Sequence, residues 1–377
     1  MFNIHDLKKD RFMLDGSFAF QGYDWWWHSF TGIHEKTGEE KPFFIEFFLC
    51  NPALGGDEPV LGQAPANQTA GAKPSYLMVK AGCWGKDARQ LHRFFGWNGI
   101  KVEKGVPFNI EADDCYCSEY ILKGSVSITK EEAEAHPEYL CDAGSMKWEL
   151  AVDKQIAYNV GYGTSVPLTA AKAFEMYWHA EGMKTAFTGT VELDGEIYRV
   201  DPATCYGYAD KNWGSNFTSP WVWLSSNDLV SRISGKRLEN SVFDIGGGRP
   251  KALAIPFERK LLGACFYEGE CFEYNFSKFW AGSRTGFKCE ETEDEIIWKV
   301  VQENKNSLMK TLVRCRKEDM LLINYEAPDG TWRHRRLWNG GNGTGRIKLY
   351  RRTGSGMELI DDISVGHIGC EYGEYTC

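Results

Sequence analysis

Short runs rich in Val, Ile, Tyr, Phe and Trp recur along this chain between glycine-containing turns, the pattern of antiparallel β structure. Residues 185–200 read as a hairpin, with Asp194-Gly195 supplying the positive φ values that a two-residue reversal requires. Asp329-Gly330 does the same between 321–326 and 332–337. A third hairpin joins 263–266 to 271–276 through residues 267–270, and the last strand pair is predicted as 346–352 with 358–363. Helix is scarce. Its best case is residues 129–136, where Thr129 and Glu132 match a capping box and Pro137 ends the run, read as a surface insertion without a catalytic part. Residues 51–75, rich in Gly, Pro, Ala and Gln, read as a long loop: a rim or lid of a binding site, or a surface excursion. Trp25-Trp-Trp27 is echoed by Trp221-Val-Trp223, each opening a stretch of β pattern of similar size. The prediction is an all-β protein of two units, 1–200 and 201–377.

Composition narrows the function classes. A net charge of −9, with no basic cluster beyond short Arg runs at 333–336 and 351–352, argues against nucleic-acid binding, which needs a concentrated basic stripe. The N-terminus lacks an apolar core of signal-peptide length, and no apolar run approaches the ~18 residues of a membrane span. A cytoplasmic protein without a membrane span is expected. The twelve cysteines are scattered over a chain long enough to fold without staples, so reduced thiols are expected. The eight histidines show no His-x-x-x-His or Glu-x-x-His grouping, so no metal site is predicted. The glycine runs at 246–248 and 340–345 lack the Lys-Ser/Thr of a phosphate loop, and Gly-x-Ser-x-Gly is absent. No cofactor is expected; the oligomeric state is open.

The segment from Cys205 to Trp223 concentrates the chemistry. Asp210, Lys211 and Asn212 stand beside Trp213, with Tyr208 before them and Trp221 and Trp223 after. Ionisable groups in aromatic surroundings acquire unusual pKa values, because the charged form is poorly solvated there. Asp210 is the candidate acid for protonating a carbon–carbon double bond. Adjacent strand residues point to opposite faces, so Asp210 and Lys211 share a cavity only if the strand is bulged. Lys211 could instead be the inward-facing group, binding an oxygen, and Asn212 could orient a hydroxyl. Trp213, Trp221 and Trp223 would wall an apolar ligand and face a developing cation. Plain core packing is the competing reading for each tryptophan, as an ion pair or turn cap is for Asp210. Glu46 shares a strand face with Phe44 and Phe48, lining the pocket or bonded to backbone. His28 and His179, both in aromatic settings, are candidate bases or simple core histidines.

Three segments carry a resemblance: Gly22-Tyr-Asp-Trp-Trp-Trp-His-Ser-Phe30, Phe43-Phe-Ile-Glu-Phe-Phe-Leu-Cys-Asn-Pro-Ala53, and Tyr208-Ala-Asp-Lys-Asn-Trp-Gly214 with Trp221-Val-Trp223. Together they resemble the tocopherol cyclase-like family of the wider lipocalin-like group, which also holds carotenoid hydratases. Weaker matches are Gly246-Gly-Gly-Arg-Pro250 and the glycine-rich stretch 337–350. Tocopherol cyclases carry Glu-Lys-Asn-Trp-Gly where this chain has Asp210 first; the hydratase branch reads Asp-His-x-Trp-Gly, putting Lys211 in the place of a histidine. The transit peptide of plant cyclases is not visible here.

The resemblance implies two lipocalin-like antiparallel β-barrel or sandwich units enclosing an aromatic pocket, with Trp25 and Trp27 among its walls. It implies a cyclase or isomerase that protonates a double bond in an apolar or phenolic, prenyl-type substrate, an internal hydroxyl then closing on the cation. The alternatives are a hydratase or dehydratase on the same kind of substrate, or a non-catalytic carrier of an apolar metabolite.

Overall fold

The strand Glu40–Cys50 shows how this sequence builds its first layer. Phe43, Ile45, Phe47 and Leu49 enter one apolar core while Phe44, Phe48 and Cys50 enter another. Both faces are buried, so the strand reads as a continuous apolar run rather than an alternating one. The computed structural model describes residues 1–158, 174–249, 251–252, 255–256, 260–323, 325–331 and 334–375.

The chain is all-β with little helix; among the described residues its strands form two large antiparallel sheets and one small pair, Lys251–Ala252 with Ile255–Pro256. The first runs from Arg89–Phe95 through Tyr76–Cys83, Glu40–Cys50 and Tyr23–His34 to Met176–Leu193, Gly144–Tyr158 and Ile121–Ile128, with three short strands beyond. Tyr23–His34 reaches Met176–Leu193 through two strands end to end, Gly207–Gly214 beside its first half and Glu196–Val200 at its end. The edge strand Arg89–Phe95 packs back against Ile121–Ile128, curling the sheet into a barrel around its core. The second sheet gathers strands from Trp221 to Tyr375, and its longest pair is His334–Thr353 with Gly356–Tyr375. It encloses a core of its own. A third core, the seam, lies between the two sheets and is far richer in aromatic rings.

Most predicted reversals are present. Asp194 (φ 50°) and Gly195 (φ 84°) turn between Met176–Leu193 and Glu196–Val200. The third hairpin reverses over Glu268-Gly269 alone; its first strand, Lys260–Tyr267, is longer than predicted, and its second, Glu270–Tyr274, starts one residue earlier and ends two sooner. Ile347 pairs with Ile363 and Arg351 with Glu358, inside strands three times the predicted length. Residues 332–333 of the predicted 332–337 strand lie outside the described residues, as does Pro250. At 129–136 the Thr129 hydroxyl caps the Glu132 N–H, but the reciprocal half of the capping box is not formed. Residues 51–75 are not one loop: they hold the 3-10 turn Pro52–Leu54 and the helix Pro65–Ala70.

The helix Ile4–Asp10 leaves no mark in the hydrophobic pattern, being too short for a period to register. Asn3 and Asp6 form its capping box, and Asp6 and Asp10 are buried against the first barrel. Phe12, Leu14 and Phe18 follow it into the barrel core. Among the described residues no helix is long and apolar enough to cross a membrane.

Candidate functional site

The strand Gly207–Gly214 pairs regularly with Tyr23–His34, Trp27 opposite Asp210 and Trp26 opposite Lys211. There is no bulge at Asp210–Lys211 on this side, so neighbouring residues take opposite faces. Tyr208 lies in the seam core and Trp213 in the barrel core, which puts Asp210 and Asn212 on the seam side and Lys211 on the barrel side. Trp25, Trp27, Trp221, Trp223 and Glu46 belong to the seam; His28 and His179 belong with Lys211 and Trp213 inside the barrel. The candidates from the sequence thus divide between two places.

Inside the barrel Lys211 and His179 are paired, while both ring nitrogens of His28 are buried without a hydrogen-bond partner among the described residues. Lys211 makes a buried salt bridge with Asp24, and its ammonium lies 3.4 Å from the centroid of the Trp26 ring. His179 bonds Asp10 at 2.8 Å and Asp6 at 3.2 Å, and those carboxylates outweigh burial to hold its pKa up. Trp213 stacks on Tyr177 at 5.4 Å. Burial drives the pKa of His28 down to about 3 and keeps it neutral. Asp10, Glu119 and Glu181 come close enough together to hold a cation. The ammonium of Lys154 sits among them, 3.4, 2.6 and 2.9 Å from the three carboxylates.

The seam is different. Asp210 Oδ2 accepts the indole N–H of Trp178 at 2.7 Å and lies 3.2 Å from the Tyr208 hydroxyl, while Oδ1 has no partner. Burial is the largest influence on this carboxyl; it and the nearby Glu371 and Glu46 outweigh the two hydrogen bonds and lift its pKa to about 8. Asp210 therefore carries a proton at neutral pH. With Oδ2 already accepting, the proton belongs on Oδ1.

Tyr208 also lies 3.1 Å from Oδ2 of Asp244, a second-sheet carboxyl that burial holds well above the usual range. One phenolic hydrogen cannot serve both carboxyls, so one of them donates to the phenol oxygen.

Aromatic rings surround these acids. The two Trp-x-Trp strands meet here, Trp27 lying 6.5 Å from Trp223 and Trp178 6.2 Å from Trp221. Three glycines of the second sheet make room for these indoles. A Cβ on Gly246 would meet the Trp178 ring at 2.6 Å, one on Gly341 the Trp84 ring at 2.1 Å, and one on Gly369 the Trp223 ring at 2.2 Å. Two clefts reach the seam. Both are narrow: one, with a cavity of about 10 Å³, is lined by Trp25, Trp221 and Tyr325; the other, of about 20 Å³, runs past Ser225, Ser226 and Asn227 to Tyr208 and Trp223.

With that geometry in view, residues 123–373 match the tocopherol cyclase-like family, two thirds of the chain. The chain belongs to the tocopherol cyclase-like family. A chloroplastic tocopherol cyclase of Zea mays is 31% identical over 143 residues, 38% of this chain but 27% of that protein. The aligned part thus spans about a quarter of this curated relative. Among solved structures, a putative AttH from Nitrosomonas europaea is similar with a TM-score of 0.44 and 11% identity, covering 95% of this chain and 93% of that one. Kievitone hydratase from Nectria haematococca gives 0.44 and 10%, covering 94% and 89%.

Several seam residues of this tocopherol cyclase-like protein escape a motif-based reading: Lys80, Trp178, Asp244, Tyr325 and Glu371. Lys80 and Asp244 do carry a local signal, a lone charge within an apolar strand, the same signal that singles out Glu46, whereas Glu371 shares its strand with Glu358, Asp361 and Asp362. Trp178 and Tyr325 carry none, because their roles arise from pairings distant in sequence.

Proposed function

We propose that this tocopherol cyclase-like protein is a cofactor-independent isomerase of cyclase type, which protonates a carbon–carbon double bond of an apolar or phenolic, prenyl-type substrate held in the seam. The observation that carries this reading is Asp210: a fully buried carboxyl, protonated at neutral pH, with Oδ1 unpartnered among tryptophans. Oδ1 would deliver the proton to the alkene, and the cation would develop against Trp27, Trp221 and Trp223, whose π faces stabilise positive charge. A hydroxyl of the same molecule would then close on the cation. The oxidation state is unchanged, so no redox partner enters the balance. Asn212, on the Asp210 face with a buried unpartnered Oδ1, is suited to orienting that hydroxyl. Lys211, on the other face, would act only through the barrel structure. The family match supports an enzyme of this general type.

A hydratase is the second reading, favoured by the serine- and asparagine-lined cleft that reaches Tyr208 and could admit water to the same cation. Mass spectrometry of an apolar extract incubated with wild type and with Asp210→Asn tests both. A product of unchanged mass formed only by wild type supports the cyclase, a gain or loss of one water the hydratase. An unmodified compound retained equally by both proteins would leave a carrier.

A further inference from the structure

The two clefts of the seam, of about 10 and 20 Å³, hold little more than a water molecule each, too little for a prenyl-type ligand. A side chain must therefore leave before such a ligand enters. Trp25, Trp27, Trp221 and Trp223 sit on strands hydrogen-bonded to a neighbour on each side. Tyr325 sits differently: residues 325–331 lie between the strands Met320–Ile323 and His334–Thr353 and belong to neither.

That segment reaches from the second unit onto the first. Tyr325 stacks on Trp25 with centroids 4.8 Å apart, the Lys80 ammonium lies 4.1 Å from its centroid, and its hydroxyl donates to Glu46 Oε2 at 3.4 Å. An aromatic face, a cation over the ring and an acceptor for the hydroxyl are what recognises a phenol. Trp25 pairs with Asn212, and Asp210 is the next residue on that face, about 7 Å along the strand. A prenyl arm on a ring held at Trp25 can extend toward the acid.

Further along the segment, the side-chain amide of Asn51 donates to the carbonyl oxygens of Pro328 and Pro74, at 2.7 Å each. Glu326 lies beneath the excursion that Val60 and Ser75 close by their backbone bridge. Its carboxyl accepts the Tyr76 hydroxyl at 3.0 Å, and a Cβ on Gly62 would meet it at 2.0 Å, so the excursion packs directly on it. Burial raises its pKa to about 7, against the pulls of the Tyr76 hydroxyl, the Gln63 side chain and the amides of Gly62 and Gln63. Tyr76 and the Cys50 thiol are the titratable groups that face it, and among the described residues no cation pairs with it. Closing the segment over an ionised Glu326 thus costs free energy that closing over the acid does not.

We infer that residues 325–331 are a strap whose Tyr325 ring occupies the aryl site of the seam, on Trp25 beside Lys80, and that the strap lifts to let the ring of a phenolic ligand take its place. This rests on the seam being where the ligand binds. Glu326 is the latch. Its ordinary value is 4.5, so between about pH 4.5 and 7 the closed strap holds a proton that the open strap gives up. Opening becomes easier as pH rises across that window and levels off above it.

The test uses 2-(3-methylbut-2-enyl)phenol with the full chain. Hydroxyl-radical footprinting read by mass spectrometry should show Tyr325 oxidised about 10-fold or more faster at saturating phenol, with the buried Tyr274 of the second core unchanged. Association followed by stopped-flow tryptophan fluorescence should speed up about 10-fold or more from pH 5 to 7 and then level off, while Glu326→Gln stays slow throughout. Tyr325→Ala should bind the phenol about 10-fold or more tighter, having no ring to displace. Lys80→Met/Glu46→Gln, which removes both buried charges together, should weaken the phenol about 5-fold or more and leave 2-methylundec-2-ene within about twofold. Phenol binding with Tyr325 still protected overturns the strap and leaves Asp210 standing. An unchanged pH response in Glu326→Gln overturns the latch. Absence of any phenol binding to wild type overturns the aryl site and the seam reading together.

Discussion

The phenol oxygen of Tyr208 stands between two carboxyls of different units, 3.2 Å from Asp210 in the first sheet and 3.1 Å from Asp244 in the second. Asp244 can thus pass a proton to Tyr208 while Tyr208 passes its own to Asp210 Oδ2, and a turn of the carboxyl would bring that proton to the position of Oδ1, restoring the acid of the proposed reaction. Tyr208→Phe breaks this chain. The expected result is a fall in turnover of about 10–100-fold with apolar binding kept, and a stability loss of about 1–3 kcal/mol from the carboxyls left without their partner. Single-turnover and multiple-turnover rates should separate, because the first proton is already on Asp210. If both fall equally, Tyr208 positions the acid and does not reload it.

Asp210 fixes a pH dependence. In the proposed reaction its protonated form is the acid, so kcat/KM should fall above about pH 8. The stability effect has a definite sign: the folded pKa, about 8, lies above the ordinary value of 3.8. The folded state therefore holds one more proton than the unfolded chain between those values, and stability falls as pH rises across that window. Asp210→Asn cannot ionise. Its melting temperature should gain on that of wild type steadily from about pH 4 to about pH 8, then keep a constant offset. A constant offset across the whole window would mean that the carboxyl is ionised in the folded protein.

What the sequence makes legible here follows from the range of the forces involved. The hairpin at Asp194-Gly195 and the all-β class rest on local preferences and are readable. That Asp210 and Lys211 point apart is also local, since strand alternation allows either that or a bulge. Which of the two faces the seam depends on the other sheet, and no local pattern carries that information. The same holds for Trp178: nothing in Met176-Tyr-Trp-His179 announces a bond to Asp210, which arises from pairing across 32 residues. Gly246 likewise sits in a strand, and its bareness accommodates Trp178 of the other sheet, a partner no local pattern names.

That accommodation gives a third prediction. In Gly246→Ala the new methyl would have to displace the Trp178 ring, which holds Asp210 through its N–H. Overpacking of this kind costs about 1–3 kcal/mol. The specific consequence is that Asp210 loses a donor that stabilises its ionised form, so its pKa should rise further. The alkaline limb of the pH–rate profile should move upward even if the maximum rate falls. Destabilisation without movement of that limb would show that Trp178 is packing alone.

His367 gives the fourth. It lies between Asp228 in its own sheet and Glu40 in the first, 2.6 Å from each, and stacks on Tyr206 with centroids 3.9 Å apart. Burial alone would favour the neutral ring, but the hydrogen bonds to the two carboxylates outweigh it and raise the pKa to about 9. The folded value is above the ordinary 6.5, so the stabilisation is complete below about pH 6.5 and is lost as pH rises through about 9. Allowing for partial solvent exposure, its size is about 1–3 kcal/mol. His367→Gln should lower stability by that amount at pH 6 and abolish the loss that wild type shows between pH 6.5 and 9, as followed by denaturant titration at several pH values. The bond to Glu40 joins the two sheets beside the cleft that leads to Tyr208, so wild type above pH 9 and the variant at any pH should also bind apolar fluorophores at the seam more readily. Equal fluorophore binding in all three cases would confine His367 to stability and leave entry to the seam under other control.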